Sequence, residues 1–177
     1  YKEMRRVIRR ARRMRLIRGP LSYNQNGLAT THNADFLRDP KFAEAYEEAA
    51  RLTGWRHPAP WRVYINVWAA SQAIRLRGNL VECGVWNGFT ALVLTLYLDL
   101  ASSDSKFFLV DSFEGVNIAD LTEEERQRGL AGKNETYVNY IEGVKKNFAP
   151  FPNVKIVKGF VPEVLETVAS GEVSYLH

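Results

Sequence analysis

Apolar positions follow two rhythms along this chain, and the change between them falls near residue 78. Upstream they recur every three to four residues, the spacing of a helix with one buried face. Over 39–54, Phe42, Ala45, Tyr46, Ala49 and Leu52 line one side. Asp39 stands as N-cap, Pro40 at the first helical position and Gly54 at the end. A second helix over 61–76 puts Tyr64, Val67, Trp68, Ser71 and Ile74 roughly on one side, and Gly78 closes it. Residues 57–61, HPAPW, read as a linker, and 21–39 as polar and turn-rich.

Downstream, short apolar runs alternate with helical patterns. Strands are expected over 79–85, 106–111, 153–159 and 173–177, and helices over 89–101, 135–149 and 162–169. This alternation predicts an α/β fold: a parallel sheet with helices on both faces and right-handed crossovers. Ligands of such sheets sit beyond the C-terminal ends of the strands, near the switch in strand order. Three parts follow: an arm over 1–20, a helical cap region over 21–77, and the α/β domain over 78–177.

Charge changes this picture at one end only. The chain carries a net +4, yet residues 1–18 hold nine of the 24 basic groups and one of the 20 acidic groups. The remainder is mildly acidic. In the arm, Met4, Val7, Ile8, Ala11 and Met14 fall at helical spacing with arginines opposite, and Gly19 and Pro20 stop the pattern. Two readings stand: an apolar stripe packed on the domain or on a second subunit, or a weak contact with an anionic surface. Nucleic acid is not expected as a partner, because no aromatic follows Tyr1 in the arm to stack on bases. No apolar run approaches a membrane span, no signal-peptide pattern opens the chain, and the single Cys83 excludes an internal disulfide and a thiolate zinc cluster. A cytoplasmic location is the simplest expectation.

Candidate chemistry gathers where the first expected strand passes into its helix, in GNLVECGVWNGFTA over 78–91. Gly84 permits close approach of the backbone to a ligand, Gly88 opens the helix, and Thr90 either caps it or offers a hydroxyl to a carboxylate. A dinucleotide site wants G-x-G-x-x-G, but Trp86 stands where the middle glycine belongs, and Glu82 would repel a pyrophosphate. Glu82 suits an ammonium group, so S-adenosylmethionine fits better than NAD. The competing reading is that these are turn glycines only. The second strand ends in Asp111, an acceptor for ribose hydroxyls or a cap for the following turn, with Ser112 beside it. Gly159 and Phe160 end the third strand, where Phe160 either covers an adenine ring or belongs to the core. The stretch 116–135 is long for a compact domain; it is a lid or a surface insertion holding a short helix over 122–130. His32, His57 and His177 are scattered, which argues against a histidine metal site, and His57 before Pro58 reads as a linker residue.

Taken together, GNLVECGVWNGFTA, LVDSFEGV, VKKNF, VKIVKGFVPEVL and VSYLH resemble the macrocin O-methyltransferase (TylF-like) family of class I S-adenosylmethionine-dependent methyltransferases, over roughly 60–177. The resemblance implies a Rossmann-like fold and methylation of a sugar hydroxyl on a glycosylated natural product or glycan. It implies S-adenosylmethionine held by Glu82, Gly84, Gly88, Thr90, Asp111, Ser112, Gly159 and Phe160. Homo-oligomers are expected on separate grounds, because a sheet ending at its fourth strand would show an open apolar edge. The resemblance also implies magnesium, held by an acidic I-D-x-D motif expected to follow VSYLH. The chain ends at His177, so the fold is expected to be truncated after its fourth strand, with the catalytic and metal-binding acids beyond it. Two alternatives remain: an NAD-dependent oxidoreductase or epimerase, and a non-catalytic scaffold that keeps the cofactor fold.

Overall fold

The computed structural model describes residues 19–130, 137, 139–168 and 171–177; the basic arm over 1–18 lies outside them. Two compact units divide the chain, Tyr1–Asp39 and Pro40–His177. In the first, strands β1 (Tyr23–Gln25) and β2 (Leu28–Thr30) pair antiparallel, Tyr23 opposite Thr30. Asn26 and Gly27 join them with φ of 47° and 80°. Positive φ at both central residues is what a two-residue hairpin with right-handed strand twist requires. The stretch reads as merely turn-rich by composition, and its Asn-Gly pair is the local signal for the hairpin. A 3-10 turn follows at Asp35–Arg38.

The second unit opens with α1 (Pro40–Thr53), which buries Phe42, Ala45, Tyr46 and Ala49, the face expected of it, with Leu52 half-buried. Helix α2 (Pro60–Ala73) departs from expectation. It buries Val63, Val67, Ala70 and Ala73, while Trp68 is 59% exposed and Ile65 53%. The helix carries apolar residues on two faces, so periodicity alone does not choose between them. Packing against the next helix and the sheet selects the face with Ala70 and Ala73, whose small side chains allow close approach.

The α/β part then runs β3 (Asn79–Cys83), α3 (Phe89–Tyr97), β4 (Phe107–Asp111), α4 (Glu123–Gln127), α5 (Ile141–Phe148), β5 (Val154–Lys158), α6 (Leu165–Val168) and β6 (Val173–Leu176). The four strands form one parallel sheet in the order β5-β4-β3-β6. The fold is the expected mixed α/β architecture, though most elements are shorter than their sequence patterns. Helix α3 stops at Tyr97 because Asp99 takes a left-handed φ of 50°. Asn139, at φ 68°, keeps α5 from reaching back along the 135–149 pattern. Within the long 116–135 stretch, α4 is set by a capping box in which Thr122 and Glu125 bond each other's backbone N–H.

Side-chain alternation along the strands builds two apolar layers. Val81, Phe108 and Val110 pack with Val168 on one face, joined by Cys83, Val157 and Val164. Leu80, Phe107 and Leu109 are fully buried on the other. Helix α3 is buried nearly all round, through Phe89, Ala91, Leu92, Val93 and Leu94. Each such Leu or Phe contributes about 1.5–3 kcal/mol by leaving water. This apolar frame fixes where β3 ends. The chain proceeds outward from β3 to β4 and β5, then returns to place β6 on the other side of β3. The order therefore reverses at β3, and a ligand crevice is expected above its C-terminal end. Strand β6 forms one edge of the described sheet, where Val173 is 47% and Leu176 69% exposed.

Candidate active site

Two hollows lie above the C-terminal ends of β3, β4 and β5 and share Gly84, Trp86 and Tyr137. The first, about 340 Å³, is lined by Asp111, Ser112, Gly159 and Phe160. The second, about 380 Å³, is lined by Glu82, Asn87, Thr90, Trp55, His57 and His177. Of the residues singled out from sequence, only Gly88 lies outside both walls.

Glycine is required at three of these positions for different reasons. Gly84, at φ 90°, would direct a Cβ into open space, so backbone conformation alone asks for glycine there. Gly88 begins α3 at φ 80°, and a Cβ on it would come within 3.0 Å of Phe148 Cε2. Gly159, at φ 155°, would place a Cβ 2.1 Å from Val164 Cγ1. Trp86 takes a left-handed φ of 52° without being glycine, and Asp111 holds it there. The Trp86 N–H donates to Asp111 Oδ2 at 2.8 Å, and the Phe113 N–H donates to Oδ1 at 2.7 Å. Asp111 thus ties the β3–α3 turn to the turn after β4, and each oxygen keeps a further lone pair for the hollow. The Ser112 hydroxyl is occupied locally, donating to the Gly115 carbonyl and accepting from the Glu114 N–H. Phe160 is half-buried beside the hollow rather than sealed in the core.

The second hollow is electrostatically unusual. Glu82 is 2% exposed and shares a sheet face with Leu80 and Tyr175. Its Oε2 has no hydrogen-bond partner among the described residues. His177 Nδ1 stands 3.9 Å away, too far for a hydrogen bond. Burial, reinforced by the Asp111 charge, pushes the Glu82 carboxyl up to about 8. Tyr175 is raised too, by burial first and by Glu82 second. Across the same hollow, Asn87 is 5% exposed. Its Oδ1 accepts the Phe89 N–H at the start of α3, while Nδ2 is buried with no partner among the described residues. A buried acceptor and a buried donor, both unpaired, line one cavity. Thr90 does not cap α3, whose N-cap is Gly88; it presents its side chain on the cavity wall instead.

Among the wall residues of the second hollow that sequence reasoning missed are Asn87, Trp55, His57, His177 and Tyr137. Asn87 lies inside the quoted motif, and only its burial marks it. Trp55 and His57 belong to the connection between α1 and α2, so His57 is a wall residue and not merely part of a linker. Nothing in their local pattern distinguishes them from other loop residues. Among the described residues no group of three His, Cys, Asp or Glu side chains could hold a metal ion, and no helix is long and apolar enough to cross a membrane.

A parallel sheet with a glycine-bearing strand–helix turn, an acid at the end of the adjacent strand and a hollow over both defines a Rossmann-like fold. The sequence profile of the macrocin-O-methyltransferase (TylF) family matches residues 65–177, and the chain belongs to that family. Among solved structures, the O-methyltransferase NovP is similar to it, with 26% identity and a TM-score of 0.48 over 70% of this chain and 57% of that one. The chain therefore spans little more than half the length of that relative. No match is found among curated proteins.

Proposed function

We propose that this domain binds S-adenosylmethionine and serves an O-methyltransferase whose acceptor is a sugar hydroxyl of a glycosylated natural product or glycan. The observation that carries the cofactor assignment is the unpaired Glu82 carboxylate facing the cavity that also holds the unpaired Asn87 amide. A buried carboxylate of this kind is matched by a cation, and a buried N–H donor by an anion. The amino-acid end of S-adenosylmethionine presents both. Glu82 would take its ammonium, while Asn87 Nδ2 and the Thr90 hydroxyl would take its carboxylate. Asp111 would accept from ribose hydroxyls, and Phe160 would lie against the base. A pyrophosphate fits poorly, because Glu82 would repel it and Trp86 occupies the turn where it would sit.

When bound, the cofactor would supply a sulfonium methyl group for transfer to the acceptor hydroxyl: an O–CH3 bond would form as the S–CH3 bond breaks, with a neutral thioether as leaving group and the hydroxyl proton passing to solvent. The contribution of this chain's residues is to hold the two ends of the cofactor and to exclude water from Glu82. Fixing reactants in this way is worth several kcal/mol in favourable cases. Magnesium remains part of the family expectation, but the described residues supply no donor cluster for it, and no step is derived through a metal.

The test is calorimetric titration of the full-chain protein with S-adenosylmethionine, S-adenosylhomocysteine and NAD. Binding of the first two, and not of NAD, is the expected result. Binding of NAD alone would overturn the reading in favour of a dehydrogenase or epimerase. A cytoplasmic location and homo-oligomeric assembly accompany this proposal.

A further inference from the structure

The cavity beside Glu82 has a wall that cofactor recognition does not use. Trp55 and His57 line it, and neither lines the hollow beside Asp111. Both side chains are fixed in place. The Thr53 hydroxyl donates to the Trp55 carbonyl at 3.0 Å and sits 3.3 Å from the Trp55 N–H. The Trp55 ring meets Trp86 edge-on at 4.7 Å and Phe89 at 5.5 Å. The Tyr46 hydroxyl donates to the His57 carbonyl, and the His57 ring packs at 5.3 Å from Trp55.

The chemistry of His57 is narrowed by one hydrogen bond. The Ala59 N–H donates to His57 Nδ1 at 3.0 Å, so Nδ1 is an acceptor and the ring proton is on Nε2. Burial, and secondarily Arg62, keeps the imidazole below its ordinary value, which favours this neutral form. Nε2 is therefore an N–H donor. It could act as a base only if the ring changed tautomer and gave up the Ala59 contact. An aromatic surface beside a single fixed donor suits a ligand with an apolar face and hydroxyl oxygens at its edge.

Resting on the methyltransferase reading above, we propose that Trp55 and His57 form the acceptor-binding wall. The indole receives the C–H face of a sugar ring, and His57 Nε2–H donates to one of its oxygens, orienting the acceptor without deprotonating it. The loop between α1 and α2 is then a determinant of acceptor choice, independent of cofactor affinity.

The experiment uses full-chain protein saturated with S-adenosylhomocysteine and methyl α-L-rhamnopyranoside as the probe sugar, titrated by saturation-transfer NMR. The unsubstituted protein should bind the sugar. Trp55→Ala and His57→Leu should each weaken it by about fivefold or more, the loss of roughly one contact. His57→Gln, which keeps a side-chain N–H donor, should retain most of the affinity, and Trp55→Phe should fall between. S-adenosylhomocysteine affinity should stay within about twofold in every variant, which also reports that each is folded. Equal sugar affinity in all variants, or no sugar binding to the cofactor-loaded protein, would overturn the proposal. So would a parallel loss of sugar and cofactor, because the wall would then be structural. Failure of the unsubstituted protein to bind S-adenosylhomocysteine would instead sink the cofactor reading on which the proposal stands.

Discussion

Glu82 should make cofactor binding depend on pH, and the dependence can be worked from its surroundings. In the ligand-free fold the carboxyl titrates at about 8 because it is buried, with Asp111 adding to the shift. The other titratable groups around it with a shift are Tyr175 and Cys83, both raised, and His57 and His177, both held below their ordinary values by burial. All four directions lead out of the window between pH 7 and 8, so Glu82 dominates it. If the bound ammonium requires an ionised Glu82, binding at pH 7 must first remove a proton. Affinity should then stand at about one-tenth of its plateau at pH 7 and about one-hundredth at pH 6. It should reach about half of that plateau at pH 8, where titration of the ligand's own ammonium begins to oppose the rise. Calorimetry with S-adenosylhomocysteine in buffers of differing ionisation heat should report release of about one proton at pH 7. Affinity that is flat from pH 6 to 8, with no proton released, would refute the reasoning.

The same shift has a consequence for stability, with a definite sign. Between the ordinary value of 4.5 and about 8, Glu82 is protonated in the fold and ionised in the unfolded chain. Unfolding therefore releases a proton, and stability falls as pH rises through that window. Below about 4.5 the penalty vanishes. Glu82→Gln removes the ionisable group, so the ligand-free variant should be more stable at pH 7, by on the order of 2–3 kcal/mol. It should also bind S-adenosylhomocysteine more weakly and without the pH dependence. A site that costs stability in order to bind is the usual compromise of functional residues.

Three other outcomes can be checked separately. Gly159→Ala puts a methyl group against Val164 at a φ that disfavours any side chain, and should cost about 1–3 kcal/mol, read as a fall of several degrees in Tm. A Tm within error of the unsubstituted protein would show that the β5–α6 turn yields. Asp111→Asn opposes an amide to one of the two backbone N–H groups it now accepts, and should weaken S-adenosylhomocysteine by about tenfold; unchanged affinity in a folded variant would reduce Asp111 to a turn residue. Deleting residues 1–18 should leave cofactor affinity unchanged while altering oligomer size or salt-sensitive binding to anionic vesicles. Loss of cofactor binding with neither assembly nor vesicle binding affected would place the arm in the active site instead.

The sequence by itself determined what is local. The alternation after residue 78 gave the strands and helices of the sheet in order, because burial on both faces forces continuous apolar runs. Pro40 and the apolar face of α1 were legible for the same reason. So were Glu82, Gly84 and Asp111, since strand ends and special backbone angles leave marks in adjacent residues. The face that α2 buries was not legible. Its two apolar sides are nearly equivalent in isolation, and only the neighbours that dock against it choose Ala70 and Ala73 over Trp68. The placement of β6 beside β3 also belongs to the tertiary fold, and it brings His177 within 3.9 Å of Glu82. Trp55 and His57 reach the cavity only because α1 and α2 pack so that their connecting loop lies over the end of β3. Asn87 stood inside the most conspicuous motif, yet its amide became informative only through burial without a partner. Burial depends on residues far away in the chain, and no local pattern encodes it.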